Sequence, residues 1–208
     1  MDALNEGLQE FKWLIDIDQP SLKLSLASIV FNPTFWNYVA QNEYHEKSIT
    51  KLLGGRRYLG CYLLAITIFL LGILRDYLYH QALENQPKFD IIPYEYAKPL
   101  AYVLFGVGQL LVFTSTWALG ITGTYLGDYF GILMDHRVTG FPFNIMENPM
   151  YNGSTLCFFA HALWSRAPAG LIISQFVYIV YAVALTYEGP FTSMIYSKRA
   201  SESKKKAT

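Results

Sequence analysis

The chain has 208 residues, of which 52% are hydrophobic and 15% charged, and its mean hydropathy is +0.22. This composition is too apolar for an ordinary soluble domain and predicts an integral membrane protein. The 16 Lys and Arg residues balance the 16 Asp and Glu residues, so no overall positive field indicates nucleic-acid binding. Cys61 and Cys157 lie inside apolar runs, which predicts neither a metal site nor a disulfide framework.

The N-terminal segment, residues 1–20, is acidic and lacks the early apolar core of a signal peptide. Its apolar residues fall on one helical face, which predicts a short amphipathic helix at the membrane interface. These residues are Leu4, Leu8, Phe11 and Ile15. We expect residues 1–208 to form a single membrane domain that begins with this interfacial segment.

Four apolar segments follow, and a helix needs about 20 apolar residues to cross a bilayer. Residues 58–78 and 99–120 meet this length. Residues 25–40 are shorter and contain Asn32-Pro33, so they fit either a kinked helix or a re-entrant segment. Residues 154–187 are too long for one span and break at Ser165-Arg166-Ala167-Pro168. This favours a helical hairpin with Arg166 at its tip, which would bring Tyr151 near Glu188, over a long helix from Pro168 with an amphipathic piece before it. The predicted fold class is therefore all-α, an integral membrane bundle of about four transmembrane helices.

Lys and Arg set the expected orientation in the membrane. The basic tail, residues 197–208, carries five of them, so we place it in the cytosol, although the connectors on both sides of the second span are also basic. The last four residues, Lys205-Lys206-Ala207-Thr208, look like the dilysine signal that returns membrane proteins to the endoplasmic reticulum. A basic tail that touches anionic lipid is the alternative. We expect a multi-pass protein of the endoplasmic reticulum membrane.

The connector over residues 121–153 joins the third and fourth apolar segments. It is long, half apolar and rich in Gly and Tyr, with a few charged residues. Irregular polar backbone at membrane depth is tolerated only where it is buried in protein or lines a cavity. The pattern therefore predicts that this connector belongs to an active site.

Three short patterns could bind a ligand. Gly106-Val107-Gly108 either packs closely against another helix or leaves room for a flat ligand. Residues 148–153, Asn-Pro-Met-Tyr-Asn-Gly, form either a plain loop-to-helix junction or a helix N-terminus that holds an anion. Glu188, in Glu188-Gly189-Pro190, is either solvated at the membrane edge or faces a cavity, where it could hold ribose hydroxyls or an amino group.

Three long motifs carry a resemblance to a known family. They are FNPTFWNYVAQNEYH from residue 31, GITGTYLGDYFGILMDHRVTGFPFNIMENPMYNGST from residue 120, and YEGPFTSMIY from residue 187. With them the chain resembles the phospholipid N-methyltransferase family, above all its fungal members, from about Ser25 to Tyr196. Isoprenylcysteine methyltransferases of membranes share related elements, so the resemblance also implies a related membrane fold.

The resemblance implies a binding site for S-adenosyl-L-methionine. The residues it implies for cofactor binding are Gly106, Gly108, Pro149, Tyr151, Gly153, Glu188 and Gly189. The family has two adjacent glutamates where this chain has Glu188 and Gly189, so one carboxylate is missing here. We expect Glu188 and backbone groups to be sufficient.

The implied reaction methylates the headgroup amine of a phospholipid in the bilayer. It converts phosphatidyl-N-methylethanolamine and phosphatidyl-N,N-dimethylethanolamine, with or without phosphatidylethanolamine itself, to phosphatidylcholine. An ammonium must first lose a proton, and the candidate proton acceptors are His45, Asp128, Glu43 and Glu147, with His45 and Asp128 preferred.

Aromatic faces can bind the cationic headgroup, and the aromatic candidates are Tyr125, Tyr129, Phe130 and Phe141. Arg137 is the candidate for the lipid phosphate. Two alternatives stay open: a methyltransferase that acts on prenylated cysteine, and a catalytically silent membrane scaffold, which Gly189 supports. A transporter fits less well because no internal repeat is visible.

Overall fold

The computed structural model describes residues 12–207, apart from the side chains of residues 200 and 203–207. The regular secondary structure of these residues is all helical, with no strand, which confirms the predicted fold class. The helices are α1 (Pro20–Glu46), α2 (Ser48–Leu52), α3 (Arg57–Glu84), α4 (Tyr94–Thr124), α5 (Pro149–Trp164) and α6 (Pro168–Ala207), with a 3-10 turn at Gly127–Phe130. Within these residues, three helices are long and apolar enough to cross a membrane: Arg57–Glu84, Tyr94–Phe130 and Pro168–Arg199.

The interfacial helix predicted for residues 1–20 lies mostly outside the described residues. Residues 12–19 form turns before α1 begins at Pro20. The Asp16 N–H donates to Gln86 Oε1 at 2.7 Å, and Gln86 Nε2 donates to the Asp16 carbonyl at 2.9 Å. These bonds hold the segment against the end of α3.

Helix α1 is continuous through Asn32-Pro33, which excludes the re-entrant segment. Proline lacks an N–H and usually disturbs the turn before it. Here the turn is supported from two sides, because Asn37 Nδ2 donates to the Pro33 carbonyl at 3.0 Å and Asn32 Nδ2 donates to the Leu71 carbonyl of α3 at 3.0 Å. The two asparagines therefore hold α1 as one helix against α3.

Helices α5 and α6 form the predicted hairpin. The turn over residues 165–167 places Arg166 at φ 54°, and its guanidinium donates to both carboxylate oxygens of Asp90 at 2.7 Å. A Cβ on Gly170 would lie 2.6 Å from Ala162 Cβ, so the two helices meet closely next to the turn. At the open end of the hairpin, Tyr151 and Glu188 come together, as the hairpin prediction required.

The core lies where α1, α3 and α6 meet. Its most buried side chains include Ile29, Leu83, Ile173 and Val177. Tyr79 adds polar contacts, since its hydroxyl lies 3.0 Å from the Phe158 carbonyl and 3.2 Å from the Gly170 carbonyl. Side-chain packing and hydrogen bonds of this kind, and not the hydrophobic effect, hold helices together in lipid.

The described chain has two ends, which we call the tail end and the hairpin end. At the tail end, Arg57 donates to the Gly131 carbonyl at 3.2 Å and Arg199 donates to the Met134 carbonyl. At the hairpin end, the Phe89 N–H donates to the Arg166 carbonyl at 3.0 Å. The tail end thus gathers the start of α3, the connector after α4 and the end of α6.

Helix α4 begins five residues before Pro99, the start that the sequence predicted. It bends at Gly120, whose φ of 63° and ψ of 179° are not helical. After the bend the chain turns back toward α3, where the Tyr125 carbonyl lies 3.7 Å from Cys61 Sγ. The bend brings the 3-10 turn with Asp128 next to α1 and α3.

Candidate active site

A cleft of about 1220 Å³ separates α3 from α4. Helix α4 packs mainly on α5 and touches α3 at few points, so residues of α3 and α4 form two sides of the cleft. Phe69, Ile73 and Phe105 line it and are themselves more than half exposed, at 58%, 53% and 51%. The cleft therefore opens sideways, in the direction where lipid surrounds the spanning helices. We call it the α3–α4 cleft.

Glu188 lies on α6 and lines the α3–α4 cleft. Its Oε1 accepts hydrogen bonds from Trp36 Nε1 at 2.8 Å and from Asn37 Nδ2 at 2.9 Å. Its Oε2 accepts a hydrogen bond from the Tyr151 hydroxyl at 2.7 Å. Three donors from α1 and α5 therefore fix this carboxylate. A carboxylate in a spanning helix is costly unless such partners replace water, and such residues usually mark a functional site.

Tyr151 connects Glu188 to a second polar group deeper in the bundle. The rings of Tyr151 and Tyr181 meet edge to face, with centroids 4.9 Å apart. The Tyr181 hydroxyl accepts a hydrogen bond from Arg75 and lies 3.4 Å from Ser154 Oγ. The polar side of the cleft thus continues from Glu188 past Tyr181 to Arg75.

Asp128 supplies a second carboxylate to the same cleft. Its Oδ2 accepts a hydrogen bond from Thr192 Oγ1 at 3.2 Å, one turn of α6 beyond Glu188. Ionised carboxylates that face one cleft favour a cationic ligand. A sulfonium or an ammonium group has the charge that complements them.

One face of α6 holds the connector that follows Asp128. Thr192 contacts Asp128, Tyr196 accepts a hydrogen bond from the Met134 N–H at 3.3 Å, and Arg199 donates to the Met134 carbonyl. These three residues are spaced four and three residues apart, so they lie on one side of the helix. The part of α6 near the tail end therefore fixes the segment that leads to Arg137.

Gly108 and Gly153 pack α4 and α5 backbone against backbone. A Cβ on Gly108 would lie 2.6 Å from the Gly153 carbonyl oxygen, and a Cβ on Gly153 would lie 2.6 Å from the Gly108 carbonyl oxygen. Gly106 has no such contact, because a Cβ there would meet nothing within 4 Å. Of the two interpretations of the Gly-x-Gly pattern, the geometry at Gly108 fits close helix packing.

Most of the other predicted site residues border the cleft. Pro149 and Tyr151 line it from the start of α5, and Gly189 lines it from α6. Tyr125, Arg137 and Glu147 of the connector also line it. Tyr129 does not: it is buried and stacks on Phe191, with ring centroids 3.7 Å apart. Phe130 is likewise buried, in a cluster with Cys61 and Leu64, and Phe141 is exposed and lies outside the lining.

Glu43 and His45 lie away from the α3–α4 cleft. Glu43 is buried, and its carboxylate accepts hydrogen bonds from the Ile49 N–H at 2.7 Å and from the Thr50 hydroxyl. It thus caps the short helix α2. His45 is exposed, and its ring meets Tyr44 edge to face. The geometry supports neither residue as a proton acceptor, because neither side chain borders the cleft.

Several residues of the site carry no clear signal in the sequence. Trp36 and Asn37 fall within the motif from residue 31, but the chain alone does not reveal that they meet Glu188. Tyr181 and Thr192 sit in the last apolar stretch and its extension, with no local signal. Arg75 was visible as a charge at the end of an apolar run, and that charge could have identified it.

Curated relatives resemble the chain over nearly its whole length. It is 52% identical to the phosphatidyl-N-methylethanolamine N-methyltransferase of Saccharomyces cerevisiae over 95% of this chain and 96% of the relative. It is 51% identical to the Neurospora crassa protein of the same name, over 97% and 94%. It is 44% identical to the human phosphatidylethanolamine N-methyltransferase, over 93% and 96%. Residues 97–199 match the phospholipid methyltransferase family.

The chain belongs to the phospholipid methyltransferase family. This confirms the resemblance and the prediction that the protein is a methyltransferase enzyme. No solved structure matches the chain significantly. In this phospholipid methyltransferase, the matched region contains most of α4, the connector, α5 and most of α6, and therefore Asp128 and Glu188.

Proposed function

We propose that this protein transfers methyl groups from S-adenosyl-L-methionine to the headgroup amines of phosphatidyl-N-methylethanolamine and phosphatidyl-N,N-dimethylethanolamine, and so forms phosphatidylcholine. One observation carries the proposal. Two carboxylates, Asp128 and Glu188, face one cleft that opens sideways between two membrane-spanning helices. A lipid headgroup can reach such a cleft without leaving the bilayer. The names of the curated relatives support the same acceptor class.

The residues of the cleft fit S-adenosyl-L-methionine. Its volume of about 1220 Å³ leaves space for a nucleoside and a lipid headgroup together. Glu188 and Tyr151 offer groups for ribose hydroxyls or an amino group, and the charges of Asp128 and Glu188 suit a sulfonium. When bound, the cofactor supplies an electrophilic methyl group. Gly108 and Gly153 act through the α4–α5 packing in this proposal, whereas Gly106 leaves open space. Pro149 and Tyr151 border the cofactor.

Asp128 is the proton acceptor in this proposal. An ammonium headgroup has no lone pair, so it must lose a proton before its nitrogen can attack the methyl carbon. The proton moves to a carboxylate oxygen of Asp128, and the nitrogen keeps the electron pair for the new N–C bond. Thr192 Oγ1 donates to Oδ2, and the Tyr129 N–H donates to Oδ1 at 3.1 Å. These two bonds orient the carboxylate, and each oxygen keeps a lone pair that can accept the proton.

Two connector residues hold the lipid headgroup in the proposal. The Tyr125 ring lines the cleft near Asp128 and can bind the cationic amine, a contact worth about 0.5–2 kcal/mol. Arg137 lines the cleft and is exposed at the tail end, where lipid phosphates lie. We further propose that the protein resides in the endoplasmic reticulum membrane with its C-terminal tail in the cytosol.

The experiment that tests the function measures methyl transfer in purified protein. Phosphatidylethanolamine and its mono- and dimethyl forms are supplied separately with labelled S-adenosyl-L-methionine. We expect transfer to the two methylated forms, with phosphatidylcholine as the final product. Transfer to phosphatidylethanolamine as well would widen the acceptor range to all three steps.

A negative result is interpreted with a binding control. If the protein binds S-adenosylhomocysteine but methylates none of the three lipids, the acceptor is wrong, and prenylated cysteine is tested next. If folded protein binds no nucleoside, it is the silent scaffold and the proposal fails. Ligand binding is visible as thermal stabilisation, because a ligand that binds only the folded state raises its stability.

A further inference from the structure

Arg75 lies inside a membrane-spanning helix, and the proposed mechanism gives this arginine no role. It lies on α3, and its side chain is only 12% exposed. Its guanidinium donates to Asp76 Oδ1, at 3.0 Å from Nε and 2.8 Å from Nη2, and to the Tyr181 hydroxyl from Nη1. A guanidinium has five N–H donors, so these bonds leave two for a further partner.

Arg75 faces the same cleft as Glu188. Both residues line the α3–α4 cleft, and the touching rings of Tyr151 and Tyr181 connect them. Tyr181, the partner of Arg75, and Glu188 are seven residues apart on α6. This spacing separates Tyr181 from Glu188 by about 10 Å along the helix axis. A single extended ligand can therefore contact a carboxylate at one end and a cation at the other.

The depth of Arg75 identifies the anion that it can meet. Its partner Tyr181 lies thirteen residues after Pro168 and eighteen before Arg199 in the spanning part of α6. These separations correspond to about 20 Å and 27 Å along the axis, so Tyr181 sits well inside the span. Lipid phosphates lie outside the hydrocarbon core of about 30 Å, and Arg137 at the tail end is better placed for them. We therefore expect the anion at Arg75 to belong to a ligand that enters the cleft.

We propose that Arg75 binds the carboxylate of the amino-acid part of the methyl donor, an inference that rests on the proposed function. The planar guanidinium matches a carboxylate, and Arg75 keeps free N–H groups on both terminal nitrogens. Asp76, which also lines the cleft, faces the ammonium group of the same amino acid. Glu188 and Tyr151 then receive the nucleoside part. Arg75 thereby fixes the amino-acid end of the methyl donor in the cleft.

The test compares two nucleosides that differ in the amino-acid part alone. S-Adenosylhomocysteine has the carboxylate and the ammonium group, whereas methylthioadenosine lacks both. Their affinities are measured by titration calorimetry on the purified full chain in lipid nanodiscs, for the wild type, Arg75→Gln and Arg75→Lys. Arg56→Gln is the matched control, because Arg56 is exposed and lies outside the cleft.

We expect Arg75→Gln to lower the affinity for S-adenosylhomocysteine by about 10-fold to 100-fold, the effect of losing a charged hydrogen bond. Methylthioadenosine should bind the variant as it binds the wild type, which also shows that the variant is folded. Arg75→Lys should lose less of this affinity, because lysine keeps the positive charge but lacks the paired N–H donors of the guanidinium. Arg56→Gln should change neither affinity.

Four results would overturn the inference. An equal loss of affinity for both nucleosides would show that Arg75 has a structural role only. Unchanged affinities together with a higher KM for lipid would assign it to the lipid phosphate. Wild-type protein that binds neither nucleoside would overturn the proposed function, and this inference with it. Wild-type binding of S-adenosylhomocysteine that Arg75→Gln leaves intact would overturn this inference alone.

Discussion

Glu188 shows how one residue serves both the fold and the site. Its carboxylate joins α1 through Trp36 and Asn37, and α5 through Tyr151. Each hydrogen bond also gives a partner to a polar side chain, which lipid could not provide. The three bonds leave part of the capacity of the carboxylate for a ligand, since an ionised carboxylate has about four lone-pair sites. Loss of Glu188 would therefore disturb helix packing and binding together, which makes it a poor residue for testing mechanism.

Asp128 is better suited to a test of mechanism, because its side chain has few structural partners. We expect Asp128→Asn to lower kcat by about 10²-fold to 10⁴-fold, the usual contribution of a general base. Affinity for S-adenosylhomocysteine should remain close to that of the wild type. Turnover with the monomethyl lipid and binding by calorimetry measure the two quantities separately. The matched control is Asp135→Asn, because the Asp135 side chain is 96% exposed and lies outside the cleft lining. Equal turnover in both variants would remove Asp128 as the base.

Gly189 is the position where this chain departs from the paired glutamates of its family. A Cβ there would meet nothing within 4 Å, so a larger side chain fits without a clash. We expect Gly189→Glu to fold as well as the wild type and to bind S-adenosylhomocysteine equally, because Glu188 already supplies the carboxylate. Gly189→Gln, which has the same size without the charge, is the control. A strong rise in affinity for Gly189→Glu, but not for Gly189→Gln, would show that the site lacks its second carboxylate.

The contact between α4 and α5 is the clearest feature at the scale of elements. Small residues let helix backbones approach closely in membranes, and Gly108 meets Gly153 in this way. The same contact fixes the start of α5, where Tyr151 reaches Glu188. The Gly-x-Gly pattern thus affects the site through packing, even though neither glycine lines the cleft.

This contact predicts opposite results for two neighbouring glycines. Gly108→Ala should destabilise the protein by about 1–3 kcal/mol, because the new methyl group would overpack against the Gly153 carbonyl and Cys157. Gly106→Ala should leave stability the same or slightly higher, since its Cβ meets open space and alanine favours a helix. Thermal unfolding in detergent measures both. Similar losses for both variants would contradict the assignment of the close contact to Gly108 alone.

Much of the fold at this scale can be predicted from the sequence. The apolar runs give α3, α4 and α6 because burial in lipid requires long apolar helices. The break at Ser165-Arg166-Ala167-Pro168 gives the hairpin, since proline starts a helix readily and continues one poorly. The exact ends were less predictable: α4 begins at Tyr94, and α6 continues beyond the apolar stretch to Ala207. Helical hydrogen bonding continues past the membrane edge, where hydropathy no longer marks it.

The site was less predictable, because its contacts join distant parts of the chain. The hydrogen bonds from Trp36 and Asn37 to Glu188 span 152 and 151 residues. Glu43 looked like a candidate base for its residue type alone, and only the structure shows that it caps α2. Tyr129 is an aromatic residue in the predicted segment, yet its ring packs on Phe191 and does not face the cleft. Residue types identify candidates, whereas packing decides which ones face the cleft.

At the scale of the whole molecule, the hairpin explains the distribution of charge. Because α5 and α6 run in opposite directions, the tail lies at the same end as the connectors before α3 and after α4. The segments of this end, residues 41–57, 125–148 and 197–207, contain ten of the sixteen Lys and Arg residues. The hairpin end, with residues 12–23, 85–98 and 165–167, contains five, and Arg75 lies between the two ends. The excess of Lys and Arg, which is unclear along the sequence, lies at the tail end in the fold. It favours a cytosolic tail end.

Single cysteines can test this orientation in sealed microsomes. Cys61 and Cys157 are first replaced by alanine, and one cysteine is then placed at Ser48, Lys88 or Ser201, all of which are exposed. A membrane-impermeant maleimide should label the cysteines at Ser48 and Ser201 in intact vesicles, because both lie at the tail end. The cysteine at Lys88 should react only after detergent opens the membrane. Labelling of Ser48 and Ser201 on opposite sides would contradict the hairpin, and labelling of Lys88 alone in intact vesicles would reverse the orientation.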